Sequence, residues 1–467
     1  MSEHQVDLLV IGSGPAGQKA AIQAAKGGWR VALVEGDRRL GGACVYRGTI
    51  PSKTLRESAL RLRQARQLGG VHAGACPAGQ EMAALIRNLQ NVTGAHDGFI
   101  RAQLERNGVQ CVHGRARFVA PRRVRVEGLR GEAAVWDAAN VIIATGSVPR
   151  HADGVPVDHE HVLDSDSVLS MLYLPESLLV LGGGIIASEY ASVFATLGVR
   201  VTMIDRYPRP LGFVDEEIVA RFLAAFRAAG GEFGGEARIA EVRWDGVSRV
   251  VTRLEDGREF AADKLLSAAG RVANVRGLDL AAAGLELTAS GHIPVDASCR
   301  TPVPGIYAVG DVIGPPALAS ASMEQGRRAS AHALGLDLGA LGATIPTGIY
   351  AIPEIATVGL DEAAARRAGT AVRVGRALFG EIARGQISGN QDGMLKLVTD
   401  DAGRLLGAQI VGEGATELIH IAQMGLLGGF AASDFVENIF NFPTLAEAYR
   451  VAALQIEAQP GAGARRG

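Results

Sequence analysis

The sequence predicts an α/β protein in which two parallel-sheet units precede a C-terminal α+β domain. Three observations favour this fold class. The chain has 467 residues, more than one hydrophobic core can organise, so roughly two to four domains are expected. A glycine-rich strand–turn–helix–strand pattern occurs twice with the same spacing. From Thr347 the pattern changes to alternating apolar residues, as in "GRLLGAQIVG", and then to amphipathic helices around residues 417–427.

The first glycine-rich unit starts with the apolar strand Asp7–Ile11, which runs directly into the turn "GSGPAG". A helix to Lys26 and a second strand ending at Glu35 follow. Glycines in such a turn let the backbone approach a pyrophosphate at a helix N-terminus, and the terminal acid can accept hydrogen bonds from a ribose. The residues that carry this pattern are Gly12, Gly14, Gly17 and Glu35. The unit therefore predicts a Rossmann-like dinucleotide-binding domain.

The second unit repeats the pattern in the strand Leu178–Leu181, the turn "GGGIIA", a helix and a strand ending at Asp205. Ala187 stands at the third glycine position, where a small side chain is tolerated. The first glycine and the terminal acid are 23 residues apart in both units, from 12 to 35 and from 182 to 205. Two chance glycine-rich turns are not expected to share this spacing, so the repeat indicates a second dinucleotide-binding domain. Its turn and acid positions are Gly182, Gly184, Ala187 and Asp205.

Composition and charge argue against several classes of protein. The net charge is −2, so no strong field attracts nucleic acid or an anionic membrane. No apolar run approaches the roughly 20 residues that span a bilayer, and residues 1–6 lack the pattern of a signal peptide. The four cysteines, Cys44, Cys76, Cys111 and Cys299, are scattered without a C-x-x-C pair. We therefore expect a cytoplasmic protein with no metal site, no nucleic acid partner and no membrane contact.

Taken together, these motifs resemble the flavoprotein disulfide reductase family, from Asp7 to about Leu454. In that family the first unit binds FAD and the second binds NAD(H) or NADP(H), and a C-terminal α+β domain mediates dimerisation. The segments "VIIATGSVPR", "LLSAAGRVAN" and "GIYAVGDVIG" each place a strand before a small-residue turn, as the family does. Besides the glycines and acids above, the resemblance implies these cofactor-binding residues: Lys53, Thr145, Gly146, Arg206, Gly270, Asp311 and Ala319.

Lys53 and Glu189 match a family ion pair that lies beside the reactive ring of the flavin. A cation at that place favours electron density on the ring, and a buried lysine needs a carboxylate partner. Lysine is rare in this chain, and Lys53 directly follows the Cys44 segment. We therefore predict that Lys53 and Glu189 form the catalytic pair, rather than that Lys53 is a solvated helix residue.

The segment "GGACVYRGTIPSK", residues 41–53, lacks one of the two cysteines that form the family's redox-active disulfide. The disulfide reductases carry C-x-x-x-x-C at this place; Cys44 matches the first cysteine, and Thr49 replaces the second. A dithiol/disulfide couple needs both sulfurs. The family's C-terminal proton-shuttling histidine is also replaced, by Phe442, while Glu447 is retained, and phenylalanine cannot act as a general base. Both losses affect only disulfide chemistry, so together they predict a changed function.

Within the family, the chain resembles the soluble pyridine nucleotide transhydrogenases in "GTIPSK", "DSDSVLSM" and "FPTLAEAYRVAAL". This implies that hydride passes from NADPH or NADH to FAD and returns to NAD⁺ or NADP⁺ in the same site, with ping-pong kinetics. Asp205 suits the free 2′-hydroxyl of NAD, whereas Arg206 and Arg209 could pair with the 2′-phosphate of NADP. In so arginine-rich a chain, the two arginines could equally be solvated loop residues.

Three other functions remain compatible with the sequence. The first is an NAD(P)H:quinone or dye oxidoreductase on the same scaffold. The second uses Cys44 as a lone redox thiol, which would need a lowered pKa. The third is a non-enzymatic flavin- or nucleotide-binding redox sensor, although mere binding would not need the pair of Lys53 and Glu189.

The predicted domains are residues 1–150 and 273–343 for FAD, 151–272 for NAD(P), and 344–467 for the subunit interface. The resemblance implies a homodimer, or a larger assembly built from it, in which "FPTLAEAYR" reaches the flavin of the other subunit. It also implies a cis peptide bond between Phe442 and Pro443.

Overall fold

Five β-sheets organise the described part of the computed structural model, which covers residues 2–68, 78–128 and 130–460. Cys76, one of the four cysteines noted above, lies outside these ranges. None of the helices within them combines the length and the apolar character that spanning a bilayer requires.

The N-terminal region carries the first glycine-rich unit in a mixed sheet. Its strands β1, β2 and β3 are parallel, and β5 pairs in parallel with the other side of β1. The longer strands β3 and β5 continue into an antiparallel meander through β4. The elements are β1 (Ser2–Ile11), α1 (Pro15–Lys26), β2 (Val31–Glu35), α2 (Gly42–Tyr46), α3 (Thr49–Leu68), α4 (Ala78–Arg106), β3 (Gln110–Ala120), β4 (Arg123–Gly128), β5 (Ala133–Ile143) and β6 (Ser147–Pro149).

The next region contains the second glycine-rich unit, with a five-stranded parallel sheet in the order β10-β9-β8-β14-β7. A three-stranded antiparallel sheet, β11-β12-β13, lies between its last two strands in the chain. The elements are β7 (Val162–Asp164), β8 (Ser177–Leu181), α5 (Ile185–Thr196), β9 (Arg200–Ile204), α6 (Glu216–Ala228), β10 (Gly231–Gly234), β11 (Ile239–Trp244), β12 (Val250–Leu254), β13 (Glu259–Ala262) and β14 (Lys264–Ser267).

The chain then returns to the first sheet. Strand β15 (Arg271–Ala273) pairs antiparallel with β6, so the outgoing and returning segments run side by side. Strand β16 (Ile306–Ala308) joins the first sheet beside β5, and α7 (Ala319–Ala333) packs directly on α1. A Cβ atom on Gly326 of α7 would lie 2.1 Å from the carbonyl oxygen of Ala16, which explains the glycine at this helix crossing.

The C-terminal region is an antiparallel sheet, in the order β17-β18-β21-β20-β19, covered by helices. The elements are β17 (Thr347–Ile349), β18 (Ile355–Gly359), α8 (Glu362–Arg367), β19 (Val372–Leu378), α9 (Ala383–Ser388), β20 (Met394–Asp400), β21 (Leu405–Val411), α10 (Ala415–Gly428), α11 (Ala432–Glu437) and α12 (Glu447–Glu457). One buried apolar cluster joins this region to the other two, through residues such as Leu55, Phe194 and Met394.

The predicted fold class, two Rossmann-like units followed by an α+β domain, is confirmed. Strand β1 starts earlier than predicted, at Ser2, because residues 2–6 continue the pairing with β5. The predicted cis bond between Phe442 and Pro443 is present; Pro316 and Pro353 also follow cis bonds. The domain boundaries given above stay a prediction.

Candidate active site

The turn between β1 and α1 has the close backbone packing that its glycines allow. Gly12 has a φ of +105°, and a Cβ atom there would lie 2.4 Å from the carbonyl oxygen of Ala144. A Cβ atom on Gly17 would lie 1.9 Å from the carbonyl oxygen of Gly12. Gly14, in contrast, faces open space directly before α1, and no side chain caps that helix end. The uncapped N–H groups and the helix dipole therefore suit the phosphates of a dinucleotide.

Glu35 is held at the end of β2 beside this turn. Its Oε2 accepts hydrogen bonds from the backbone N–H (3.0 Å) and the hydroxyl (2.5 Å) of Ser13, and its Oε1 accepts one from the N–H of Asp37 (2.8 Å). The Ser13 hydroxyl also accepts a hydrogen bond from the N–H of Gly41 (2.8 Å), which ties the segment before Cys44 to the turn. Sequence reasoning missed Ser13; the only signal was a hydroxyl within the glycine turn.

The second turn repeats this geometry between β8 and α5. Gly182 has a φ of +116°, and a Cβ atom there would lie 2.6 Å from the carbonyl oxygen of Ala268. Gly184 faces open space before α5, which also lacks a side-chain cap. Ala187 is fully buried in α5. The two predicted dinucleotide sites thus share one local construction.

Asp205 and Arg206 lie next to each other but face different surroundings. The carboxylate packs on the second turn, since a Cβ atom on Gly183 would lie 2.4 Å from Asp205 Oδ2, and its Oδ1 accepts a hydrogen bond from the N–H of Tyr207 (3.3 Å). Arg206 is exposed, stacks on the Tyr207 ring at 4.8 Å and donates to its hydroxyl (3.0 Å). Arg209 donates to carbonyls within its own loop, which favours a structural role for that residue.

A set of polar groups lies at the ends of β5 and β16. Asp311 Oδ2 accepts a hydrogen bond from the Ser147 hydroxyl (2.7 Å), which in turn accepts one from Arg271 Nε (2.8 Å). The Thr145 hydroxyl is buried and has no hydrogen-bond partner among the described residues. Gly146 has a φ of +70° and open space beside it. Because buried hydroxyls are normally paired, the Thr145 hydroxyl indicates a polar ligand atom at this place.

Lys53 and Glu189 form an ion pair between α3 and α5. Lys53 Nζ lies 2.9 and 2.8 Å from the two carboxylate oxygens of Glu189, and Glu189 Oε1 also accepts a hydrogen bond from the N–H of Tyr350 (2.8 Å). The ammonium group lies 4.8 Å from the centre of the Tyr350 ring. The side chain of Glu189 is 8% exposed and that of Lys53 is 25% exposed, so Lys53 is not a freely solvated helix residue.

The segment 350–354 of the C-terminal region forms hydrogen bonds with both α3 and α5 and so links these two helices. The N–H of Ile352 donates to the Ser192 hydroxyl of α5 (3.0 Å). Arg56 of α3 donates through Nε to a backbone carbonyl of the segment (3.0 Å), and its terminal nitrogen lies 3.0 Å from Glu354 Oε1. Both charged side chains are buried. Sequence reasoning missed this network, which holds the backbone that contacts Glu189.

The Cys44 thiol lies beside a hydroxyl, not a second sulfur. Cys44 belongs to α2 and Thr49 begins α3, and both residues line one cavity. Burial raises the pKa of the Cys44 thiol, although Thr49 and the charge of Lys53 act in the opposite direction. Among the described residues the cysteines are free of disulfides. At neutral pH Cys44 is therefore a protonated thiol and a poor nucleophile.

A single cavity of about 1870 Å³ connects these features. It exceeds the roughly 300–1,000 Å³ of most small-molecule sites, as an extended dinucleotide requires. Neither Asp205 nor Arg206 lines this cavity. The predicted site residues that line it are Gly12, Gly14, Glu35, Cys44, Thr49, Lys53, Thr145, Gly146, Gly184, Glu189, Gly270, Asp311 and Ala319.

Phe442 and Glu447 lie away from these residues in the single chain. Phe442 is 69% exposed, next to Ile439 at 96%, and Leu427 of α10 is exposed as well. Glu447 begins α12, and its buried Oε2 has no partner within the described ranges. An exposed apolar surface of this kind is typical of a subunit contact.

The site combines two dinucleotide-binding turns, one shared cavity and a lysine–glutamate pair between them. This combination defines a class of oxidoreductase that binds a flavin nucleotide and a nicotinamide nucleotide side by side. The chain belongs to the pyridine nucleotide-disulphide oxidoreductase family, which it matches over residues 6–326. Residues 345–453 match the dimerisation domain of that family.

Curated relatives and solved structures agree with this assignment. Proteins named soluble pyridine nucleotide transhydrogenase are 43% identical in Mycobacterium bovis, over 97% of both chains, and 39% identical in Hahella chejuensis, over 97% of this chain and 98% of the relative. The crystal structure of LpdA from Mycobacterium tuberculosis has a TM-score of 0.87 at 28% identity, covering 97% of this chain and 99% of LpdA. A Cu(II) complex of the flavoprotein disulfide reductase RclA from Escherichia coli has a TM-score of 0.88 at 26% identity, covering 98% and 100%.

FAD and NAD(P)(H) are the cofactors of an oxidoreductase of this family. The residues present fit FAD: the open space at Gly14 can take a pyrophosphate, Glu35 lies beside the same turn, and the Thr145 hydroxyl lacks a partner among the described residues. The open space at Gly184 suits the second nucleotide in the same way.

Proposed function

We propose that this protein is an FAD-dependent NAD(P) transhydrogenase that works without a redox-active disulfide. The observation that carries the proposal is that Thr49, which lines the same cavity as Cys44, offers a hydroxyl where a dithiol couple would need a second sulfur. The shared name of the relatives supports it. When bound, FAD supplies a group that accepts hydride from one nicotinamide and returns it to another.

The residues of the chain then have distinct roles. Lys53, held by Glu189, supplies a fixed positive charge that stabilises electrons arriving in the site. The first turn and Glu35 bind the FAD nucleotide, and the second turn binds the nicotinamide nucleotides one after the other. With one such turn for both substrates, the oxidised product must leave before the acceptor binds, which gives ping-pong kinetics.

We also propose a cytoplasmic homodimer as the working unit. The support is the match of residues 345–453 to a dimerisation domain and the exposed apolar residues around Phe442. In this assembly Phe442 and its neighbours lie against the second subunit. The other partners of the protein are the nicotinamide nucleotides of the cell, which are its substrates.

Transhydrogenation is tested by comparing two acceptors without added thiol. We expect NADPH-driven reduction of an NAD analogue to be fast, and parallel lines in double-reciprocal plots, because donor and acceptor share one site. Quinone reduction under the same conditions should be slow. Fast quinone reduction with slow transhydrogenation would overturn the proposal in favour of a quinone reductase, and a purified protein without flavin colour would refute both.

The missing sulfur is tested by restoring it. Anaerobic titration of the wild-type protein with NADPH should stop after one hydride equivalent per flavin. In Thr49→Cys, after air oxidation has joined the new sulfur to Cys44 in a disulfide, reduction of that disulfide back to two thiols should consume one further two-electron equivalent. Thr49→Ser is the matched control and should titrate as the wild type does. An identical count in Thr49→Cys and Thr49→Ser would show that position 49 does not decide the electron path.

Nucleotide preference is tested at Asp205 and Arg206. Asp205→Ala should raise KM for NAD⁺ by about tenfold or more, because a hydrogen bond to a charged group is lost, and should not raise KM for NADPH. Arg206→Ala should act in the opposite sense and raise KM for NADPH alone. Equal changes for both nucleotides in either variant would contradict these roles.

A further inference from the structure

A group of charged side chains around a buried lysine joins α6 of the nicotinamide unit to the C-terminal sheet. At its centre is Lys396 of β20, whose side chain is only 2% exposed. Its Nζ lies 2.8 Å from Asp215 Oδ2, 2.6 Å from Glu217 Oε1 and 3.0 Å from Glu362 Oε2. We call this group the Lys396 cluster. Through this cluster Lys396 contacts α6 directly, although Lys396 and Glu217 are 179 residues apart in the sequence.

Two arginines balance the charge of the Lys396 cluster. Arg376 lies directly opposite Lys396 in the β19–β20 pair and donates to both carboxylate oxygens of Glu217, at 2.7 and 2.5 Å. Arg366 pairs with Glu362 at 2.9 Å. The hydrogen bonds from Arg376, with help from Lys396, lower the pKa of Glu217 to about 2. Burial lowers the pKa of Lys396, but its three carboxylate partners raise it above the ordinary value overall, so Lys396 stays charged at neutral pH.

The cluster lies at the end of loop 205–215, which connects β9 to α6. Asp215, the last residue of the loop, also caps α6 through its Oδ1, which accepts a hydrogen bond from the first turn of the helix (3.0 Å). In the middle of the loop, the N–H of Leu211 donates to the carbonyl of Gly183 in the second glycine turn (2.7 Å). Arg209 stiffens the same stretch through two carbonyls, at 3.0 and 3.1 Å. Hydrogen bonds within the loop thus connect Asp215 to the glycine turn.

We propose that Lys396 is a positioning residue for nicotinamide nucleotide binding. By fixing Asp215, it holds loop 205–215 against the second glycine turn, which serves both nucleotides. The proposal rests on the nicotinamide site itself and not on which acceptor completes the reaction. Since both nucleotides use this loop, loss of Lys396 should weaken both to a similar degree.

The test replaces Lys396 by methionine, which keeps the length of the side chain and removes its charge. In Lys396→Met we expect KM for NADPH and for the NAD analogue to rise in parallel by about three- to thirtyfold, while kcat changes by less than about twofold. The flavin content should stay at the wild-type value. Lys396→Arg should recover most of the binding because it restores a buried donor with positive charge.

A matched control separates positioning from a general loss of stability. Lys264 is also buried, in β14 of the same unit, but its ammonium group donates to the Glu160 carbonyl (2.8 Å) and does not contact loop 205–215. Lys264→Met should lower the melting temperature without changing either KM. If Lys396→Met changes only the melting temperature, as the control does, the positioning role is wrong.

A second variant keeps the test decisive if Lys396→Met does not fold. Asp215→Asn removes one charge of the cluster but keeps the helix cap, because asparagine caps helices well. It should raise both KM values in the same direction; unchanged KM values would refute the proposal. Without any acceptor, the concentration dependence of flavin reduction by NADPH and by NADH reports on the binding of each nucleotide, so a failure of transhydrogenation itself would leave this result interpretable.

Discussion

Lys53→Met is expected to slow the reduction of bound FAD by NADPH about 10²- to 10³-fold, since that is the usual effect of removing one preorganised charge-stabilising group. The ammonium group is held by both oxygens of Glu189, so its position does not depend on the arrival of substrate. The measurement is rapid mixing under anaerobic conditions, with the loss of flavin absorbance as the signal. The amount of FAD bound should not change.

The single variant also leaves Glu189 as a buried carboxylate with one backbone donor, from Tyr350. The double variant Lys53→Met with Glu189→Gln removes that unpaired charge and should regain stability without regaining rate. A double variant that recovers the rate would show that the defect came from the orphaned carboxylate. Flavin reduction at the wild-type rate in Lys53→Met would refute the catalytic role of Lys53.

The second large effect is expected for Arg56→Met, which should lower the apparent free energy of unfolding by about 3–5 kcal/mol, as breaking a buried ion pair does. The Arg56 side chain is 4% exposed and that of Glu354 is 10% exposed. The other oxygen of Glu354 accepts hydrogen bonds from the N–H and the hydroxyl of Thr416, at 3.2 and 2.9 Å, so the carboxylate cannot turn towards water. Denaturant unfolding and the temperature at which flavin is released both measure the loss.

The matched double variant, Arg56→Met with Glu354→Gln, should be more stable than Arg56→Met alone because no uncompensated charge remains buried. Arg366→Met provides a control, since the pair of Arg366 and Glu362 is more exposed and should contribute no more than about 1 kcal/mol. If Arg56→Met is as stable as this control, the segment 350–354 does not depend on Arg56.

The predictable parts of this protein are those with a local spacing. The two glycine turns and their acids recur at one interval along the chain, and the same steric contacts at Gly12 and Gly182 explain why glycine is needed in both. The sequence predicts the pair of Lys53 and Glu189, 136 residues apart, only through the family resemblance, and in the structure the two side chains are in direct contact.

The buried ion pairs escaped sequence reasoning for a physical reason. Arg56 contacts a carbonyl 295 residues away, and Lys396 contacts a carboxylate 181 residues away. No periodicity or turn motif connects such positions, because tertiary packing alone brings them together. The abundance of arginine in the chain also hides an arginine with a structural role, such as Arg56 or Arg209, among many on the surface.

The hydroxyl of Thr49 in place of a second sulfur has a consequence for the response to thiol-directed inhibitors. Trivalent arsenicals and related agents inactivate enzymes by bridging two neighbouring thiolates. Position 49 offers them an alcohol, and the one sulfur beside it is kept protonated by its burial. On a scaffold whose disulfide-reducing members depend on such a sulfur pair, this protein would continue to exchange reducing equivalents in a cell whose dithiol enzymes are blocked.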